Sequence, residues 1–191
     1  MSLWGPKVTI TDKLLAKTIL IFIPSSVTPN QVTIFRFLAT PFVIWLILIE
    51  NYKWAMPLFL IAALTDAIDG AMARTRDQIT EWGKIYDPLA DKLLIGSIAF
   101  LLISKYLNLY LALAIIFPEL LLISLGGLRR KNKQIIEANW WGKSKMILQV
   151  AGSLLLFFYL LWPHNILINL AWFIFPIAIV LAIISLLTYS I

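Results

Sequence analysis

Four aspartates, Asp66, Asp69, Asp87 and Asp91, stand within residues 65–92, TDAIDGAMARTRDQITEWGKIYDPLADK, of an otherwise apolar chain. Asp66 and Asp69 are three apart and Asp87 and Asp91 four apart, so on helices each pair shares one face. Gly70 and Ala73 continue the first stripe, and Gly83 precedes the second by the same step of four. Such small residues let a second backbone or a ligand come close. Carboxylates pooled on two neighbouring helices cannot all stay ionised without counter-charge. Hard divalent cations, Mg²⁺ or Mn²⁺, are the natural partners of an all-oxygen donor set. The competing reading is a set of interfacial ion pairs with Arg74, Arg76, Lys84 and Lys92.

The elements that carry these aspartates follow from composition. The chain has 191 residues, 61% hydrophobic and 14% charged, with a mean hydropathy of +0.88. One core of this size cannot hide that much apolar surface from water, so most of it must face lipid. An aspartate at a lipid-embedded helix centre costs about 2.5–3.5 kcal/mol, so four of them need compensation. A soluble enzyme, a disordered tail and a disulfide scaffold are excluded. With no cysteine and a single histidine, His164, thiolate sites, Ser-His-Asp schemes and multi-histidine metal sites drop out as well. The net charge of +6 points to an anionic membrane surface or a phosphate-bearing substrate, and not to nucleic acid. No cleavable signal is expected, because the opening residues lack a charged segment followed by an apolar run.

The pattern predicts an all-α polytopic membrane protein of one domain over 1–191: an interfacial amphipathic helix at 9–23, then a six-helix bundle over 31–189. The expected spans are 31–50, 54–74, 82–105, 107–127, 143–162 and 166–189, each near the 20 or so apolar residues that cross a bilayer. The Gly126-Gly127 pair is expected to end or bend the fourth. Pro88 either opens the third span behind Asp87 as its cap or lies inside a helix that begins near Thr80. In this layout one side holds only Lys53 and Lys105. The other holds Lys7, Lys13, Lys17, Arg74, Arg76, Lys84, Arg129, Arg130, Lys131, Lys133, Lys143 and Lys145. The positive-inside rule then places both termini and the aspartates on the cytoplasmic side of the cell membrane.

Asp66-x2-Asp69-Gly70-x2-Ala73-Arg74-x8-Gly83-x3-Asp87-x3-Asp91 sets eight defined positions over 26 residues. It resembles the signature of the CDP-alcohol phosphotransferases, with no departure at a defined position. The resemblance implies transfer of a phosphatidyl-type group from a CDP-linked lipid to an alcohol, with release of CMP. By the same resemblance Asp66, Asp69, Asp87 and Asp91 would hold two divalent metal ions, and Asp91 would also be the base on the acceptor hydroxyl. Gly70, Ala73 and Gly83 would line the cytidine pocket and Arg74 would hold the diphosphate. Relatives are often homodimers, so a homodimer is a further implication.

Asp87-Pro88-Leu89-Ala90-Asp91-Lys92, Gly142-Lys143-Ser144-Lys145 with Gln149, and Pro29-Asn30-x2-Thr33-x2-Arg36 look like the phosphatidylglycerophosphate synthase branch. That resemblance implies glycerol 3-phosphate as the small phosphorylated acceptor, with CDP-diacylglycerol as donor. Arg36, Arg129, Arg130, Lys143 and Lys145 are the candidate cations for the acceptor phosphate. The chain departs from the branch at Pro118-Glu119, where Arg-Glu is usual. Glu119 is expected either to touch the basic site or to serve helix packing. Competing readings are the same chemistry on inositol phosphate or serine, and, from another class, a cation transporter. Transport would spread acidic groups toward both membrane faces; here the four motif aspartates fall together.

Overall fold

The computed structural model describes residues 9–24, 26–131 and 140–189, and all regular structure among them is helical. The elements are α1 (Ile10–Thr18), a 3-10 turn at Leu20–Phe22, α2 (Pro29–Leu48), α3 (Tyr52–Thr75), α4 (Glu81–Tyr106), α5 (Leu109–Lys131), α6 (Trp140–Leu161) and α7 (Asn165–Tyr189). The segment expected as one amphipathic helix at 9–23 is thus divided into α1 and a short turn. The six long helices fall where six spans were expected, with shifted ends.

Local chemistry explains those ends. Proline suits the first turn of a helix, where its missing N–H is not needed. Accordingly α2 begins at Pro29, two residues before the expected start, behind a reciprocal cap. In that cap the Gln31 amide donates to Thr28 Oγ1 at 3.4 Å and the Thr28 amide to Gln31 Oε1 at 2.9 Å. Thr80 caps α4 by accepting from the Gly83 amide at 2.9 Å. The helix therefore starts at Glu81 and Pro88 lies inside it, which decides between the two readings of that proline. Asn108 caps α5 through the amides of Tyr110 and Leu111. That helix then runs through Gly126-Gly127 to Lys131: the pair does not end it. Asp77, at φ 53°, closes α3, and the Gln78 amide reaches back to the Ala73 carbonyl at 3.0 Å.

Four helices, α2, α3, α6 and α7, are long and apolar enough to cross a membrane, with mean hydropathies of 1.8, 1.5, 1.7 and, over Asn165–Thr188, 2.8. Two of the six expected spans do not reach that standard among the described residues. The first half of α4 carries Glu81, Lys84, Asp87, Asp91 and Lys92, which leaves too short an apolar remainder. In α5 the apolar stretch is Leu109–Ser124.

The described residues pack as two compact units, those within 1–42 together with 58–94, and 43–57 together with those within 95–191. In the first, Leu20, Ala71 and Met72 form a buried cluster covered by Leu15, Ala16, Ile23, Val27, Val32 and Ile68. This seats the N-terminal segment on the end of α3. In the second, α7 packs on α6 and α5. Gly152 permits the close approach there, because a Cβ in its place would stand 2.7 Å from the Phe175 ring.

Candidate active site

Within the first unit, three helices bring together residues that lie far apart in the chain. From α3 come Asp66 and Asp69, from α4 Asp87 and Asp91, and from α2 Thr33 and Arg36. Arg36 is wholly buried, and its guanidinium is shared among three carboxylates. Nη2 donates to Asp69 Oδ2 at 2.5 Å, and Nη1 to Asp66 Oδ1 at 3.2 Å and to Asp91 Oδ1 at 3.3 Å. Nε adds a bond to Thr65 Oγ1 at 3.4 Å. Asp87 instead accepts a neutral bond from Thr33 Oγ1 at 2.5 Å. Asp69 and Asp91 are buried, whereas the Asp66 side chain is 46% exposed.

Charge makes this arrangement uneven. One guanidinium cannot neutralise three carboxylates, and Thr33 brings no charge to the fourth. Like charges at such separations favour uptake of further positive charge. The donor set is all hard oxygen, half of it reachable from outside through Asp66 and Asp87, and so fits a hard divalent cation by its chemistry. Among the described residues the carboxylates are not arranged as a ready-made cation site; Asp66, Asp69 and Asp91 converge on Arg36. Arg36, expected at an acceptor phosphate, has these carboxylates as its partners.

The small residues of the motif have specific neighbours. A Cβ on Gly83 would stand 3.1 Å from Asp87 Oδ2, 3.1 Å from Thr80 Oγ1 and 3.3 Å from Asn30 Oδ1. Gly83 thus lets the starts of α2 and α4 meet, where Thr80 Oγ1 donates to Asn30 Oδ1 at 2.8 Å. Ala73 is half-buried on α3. Gly70 lies under the guanidinium of Arg74, whose Nη2 and Nη1 would be 3.1 and 3.3 Å from an added Cβ. Arg74 in turn holds Asp12 of α1 through two bonds, Nε to Oδ2 at 2.8 Å and Nη2 to Oδ1 at 2.7 Å. The Arg74 bonds, first of all, hold the Asp12 carboxyl well below the usual carboxylate range.

The remaining candidates belong to the second unit. Lys145 is buried in the second unit and donates to Glu119 Oε1 at 2.5 Å, and Gln149 donates to the same oxygen at 3.2 Å. Lys143 is exposed. The side chains of Arg129 and Arg130 lie outside the described residues. The roles of Thr33 and Asn30 were missed from sequence. Their step of three with Arg36, at 30, 33 and 36, was the available signal for one polar face at the start of α2.

These features define a helical membrane protein with an acidic centre built on a bipartite aspartate motif. The sequence pattern of the family described as CDP-alcohol phosphatidyltransferase matches residues 26–184, and the chain belongs to that family. Among its relatives is a protein of Rickettsia typhi named CDP-diacylglycerol--glycerol-3-phosphate 3-phosphatidyltransferase, 41% identical over 80 residues, 40% of this chain and 45% of the relative. Proteins of the same name are 38% identical over 96 residues in Mycoplasma genitalium, 50% of this chain and 41% of the relative, and 44% identical over 64 residues in Aquifex aeolicus, 34% and 36%. In each comparison the matched stretch spans less than half the length of the relative.

Proposed function

We propose that this protein transfers the phosphatidyl group of CDP-diacylglycerol to glycerol 3-phosphate, giving phosphatidylglycerophosphate and CMP. The observation that carries the reading is the convergence of Asp66, Asp69 and Asp91 on one buried point of positive charge, with Asp87 close by on α4. The names of the relatives support the donor and the acceptor. The protein is a six-span membrane protein in this reading, with α1 in the interface, and the basic residues put the aspartates and both termini on the cytoplasmic side.

Asp66, Asp69, Asp87 and Asp91 would hold two divalent ions, Mg²⁺ or Mn²⁺. Such ions, when bound, neutralise the phosphate oxygens and align the attacking and leaving oxygens. Asp91 takes the proton of the acceptor hydroxyl onto a carboxylate oxygen. The freed oxygen pair forms the new bond to the lipid-side phosphorus, and the bridging P–O bond breaks to release CMP. Arg36 gathers the aspartates from both helices and keeps them within reach of one another. Arg74 binds the diphosphate, and Gly70, Ala73 and Gly83 leave room for the cytidine. The candidate cations for the acceptor phosphate are Arg36, Arg129, Arg130, Lys143 and Lys145; Lys145 can serve only by giving up part of its bond to Glu119.

Purified protein supplied with labelled CDP-diacylglycerol and one acceptor at a time tests this reading. CMP release with glycerol 3-phosphate, and not with inositol phosphate or serine, is expected. Release only with another alcohol would reassign the acceptor. Divalent-cation flux across liposomes without CMP formation would replace the enzyme by a transporter.

A further inference from the structure

Arg74 is the one motif cation, and its geometry is set from outside the motif. Asp12 lies 62 residues earlier, on α1, and takes Nε and Nη2 of Arg74 together in a two-bond fork. Its carboxylate is itself fixed. The Thr9 amide donates to Asp12 Oδ2 at 2.8 Å and the Asp12 amide to Thr9 Oγ1 at 3.2 Å, closing the capping box of α1. On its other side the guanidinium lies against Gly70, where an added Cβ would crowd both Nη atoms. Arg74 is therefore held between a carboxylate and a bare backbone.

The base of this clamp is secured by a second arginine. Arg76 donates to the carbonyls of Leu20, Ile23, Pro24 and Val27, the shortest bond being 2.9 Å to Ile23. The segment after α1 is thereby fastened to the end of α3, beside the buried contact of Leu20 with Ala71 and Met72. Asp12 reaches Arg74 from a tethered platform and not from a loose terminus. Nη1 of Arg74 has no hydrogen bond among the described residues, and the side chain remains 36% exposed. A guanidinium fixed on two of its nitrogens, with the third available, is preorganised for an anionic phosphate oxygen, because little side-chain entropy is left to lose on binding.

We infer that Asp12 is a positioning residue that fixes Arg74 for the diphosphate of the nucleotide-lipid donor. The inference rests on the proposed reaction. Asp12 touches no substrate and acts only through Arg74. Its removal therefore raises the donor KM and leaves the acceptor KM unchanged, a split that simple loss of folded protein does not produce.

The test measures binding of CDP-diacylglycerol and steady-state CMP release for the wild type, Asp12→Ala, Asp12→Asn and Asp12→Glu. Asp12→Ala and Asp12→Asn are expected to raise the donor Kd and KM about tenfold. Asp12→Glu keeps both charge and cap and brings the donor KM back to within about threefold of wild type. Should the alanine variant fail to fold, Asp12→Asn decides, since it keeps the size of the side chain and an oxygen for the cap. An unchanged donor KM in an active protein, or equal losses toward donor and acceptor, overturns the inference and leaves the proposed reaction standing. A wild type that neither binds nor cleaves CDP-diacylglycerol overturns the reaction and this inference with it.

Discussion

Two buried ionic clusters in this apolar chain differ in charge balance. In the first unit Arg36 is divided among Asp66, Asp69 and Asp91. In the second, Lys145 faces one carboxylate, Glu119, and Gln149 donates to the same Glu119 oxygen. Both clusters carry the desolvation penalty of buried charge, which only good pairing recovers. The Lys145–Glu119 pair sets one cation against one anion, although Glu119 Oε2 and Gln149 Oε1 are buried without a hydrogen-bond partner among the described residues. In the Arg36 cluster the ion pairs set three carboxylates against one guanidinium, and a surplus of that sign is what the proposed function needs to take up cations. Charge balance, more than burial, is where the two clusters differ.

The comparison can be broken in several ways, in descending size of effect. Asp91→Asn should abolish CMP release, by at least about a thousandfold, while the protein still extracts as a folded species. Retention of a tenth or more of the activity would remove Asp91 as the base. Next comes Lys145→Met, which strands the buried Glu119 carboxylate and should cost about 3–5 kcal/mol of stability, seen as a lower unfolding midpoint in detergent. Combining it with Glu119→Leu should recover most of that loss. If the double variant is stable but inactive, the pair belongs to the chemistry and the contrast fails.

Gly83→Ala should reduce activity about tenfold with little loss of fold, since a displacement of a few tenths of an ångström at Asp87 misplaces a reacting group. Normal turnover would mean that Asp87 moves freely. The smallest effect concerns pH. The folded-state pKa of Asp12 is depressed by Arg74, so its stabilising contribution is complete above the unfolded carboxylate range, near pH 4, and fades only as pH falls below that. Wild type and Asp12→Asn should therefore differ by a constant stability between pH 7 and about pH 5. A difference near zero throughout that window would show the Asp12–Arg74 bond to be weak in solution.

Much of this was legible in the sequence, for identifiable reasons. The aspartate pairs announced themselves because spacings of three and four fix a helical face, and because acids are costly among apolar residues. The long helices followed from hydrophobic runs, and their ends moved by a few residues where Thr28, Thr80 and Asn108 supplied caps. The partners of the aspartates were harder to see. Arg36 is 30 or more residues from each aspartate it binds, and Asp12 is 62 from Arg74. No local periodicity encodes such pairings, since they arise when separate helices pack. Pro88 was undecided for a related reason: the cap at Thr80, not the proline, determines where α4 begins.

The acidic centre is tested most directly by a crystal structure of the protein soaked with Mn²⁺ and recorded at the manganese absorption edge. Anomalous density enclosed by oxygens of Asp66, Asp69, Asp87 and Asp91 is the expected result. The same side chains still bound to Arg36 and Thr33, with no metal signal at saturating Mn²⁺, would contradict it.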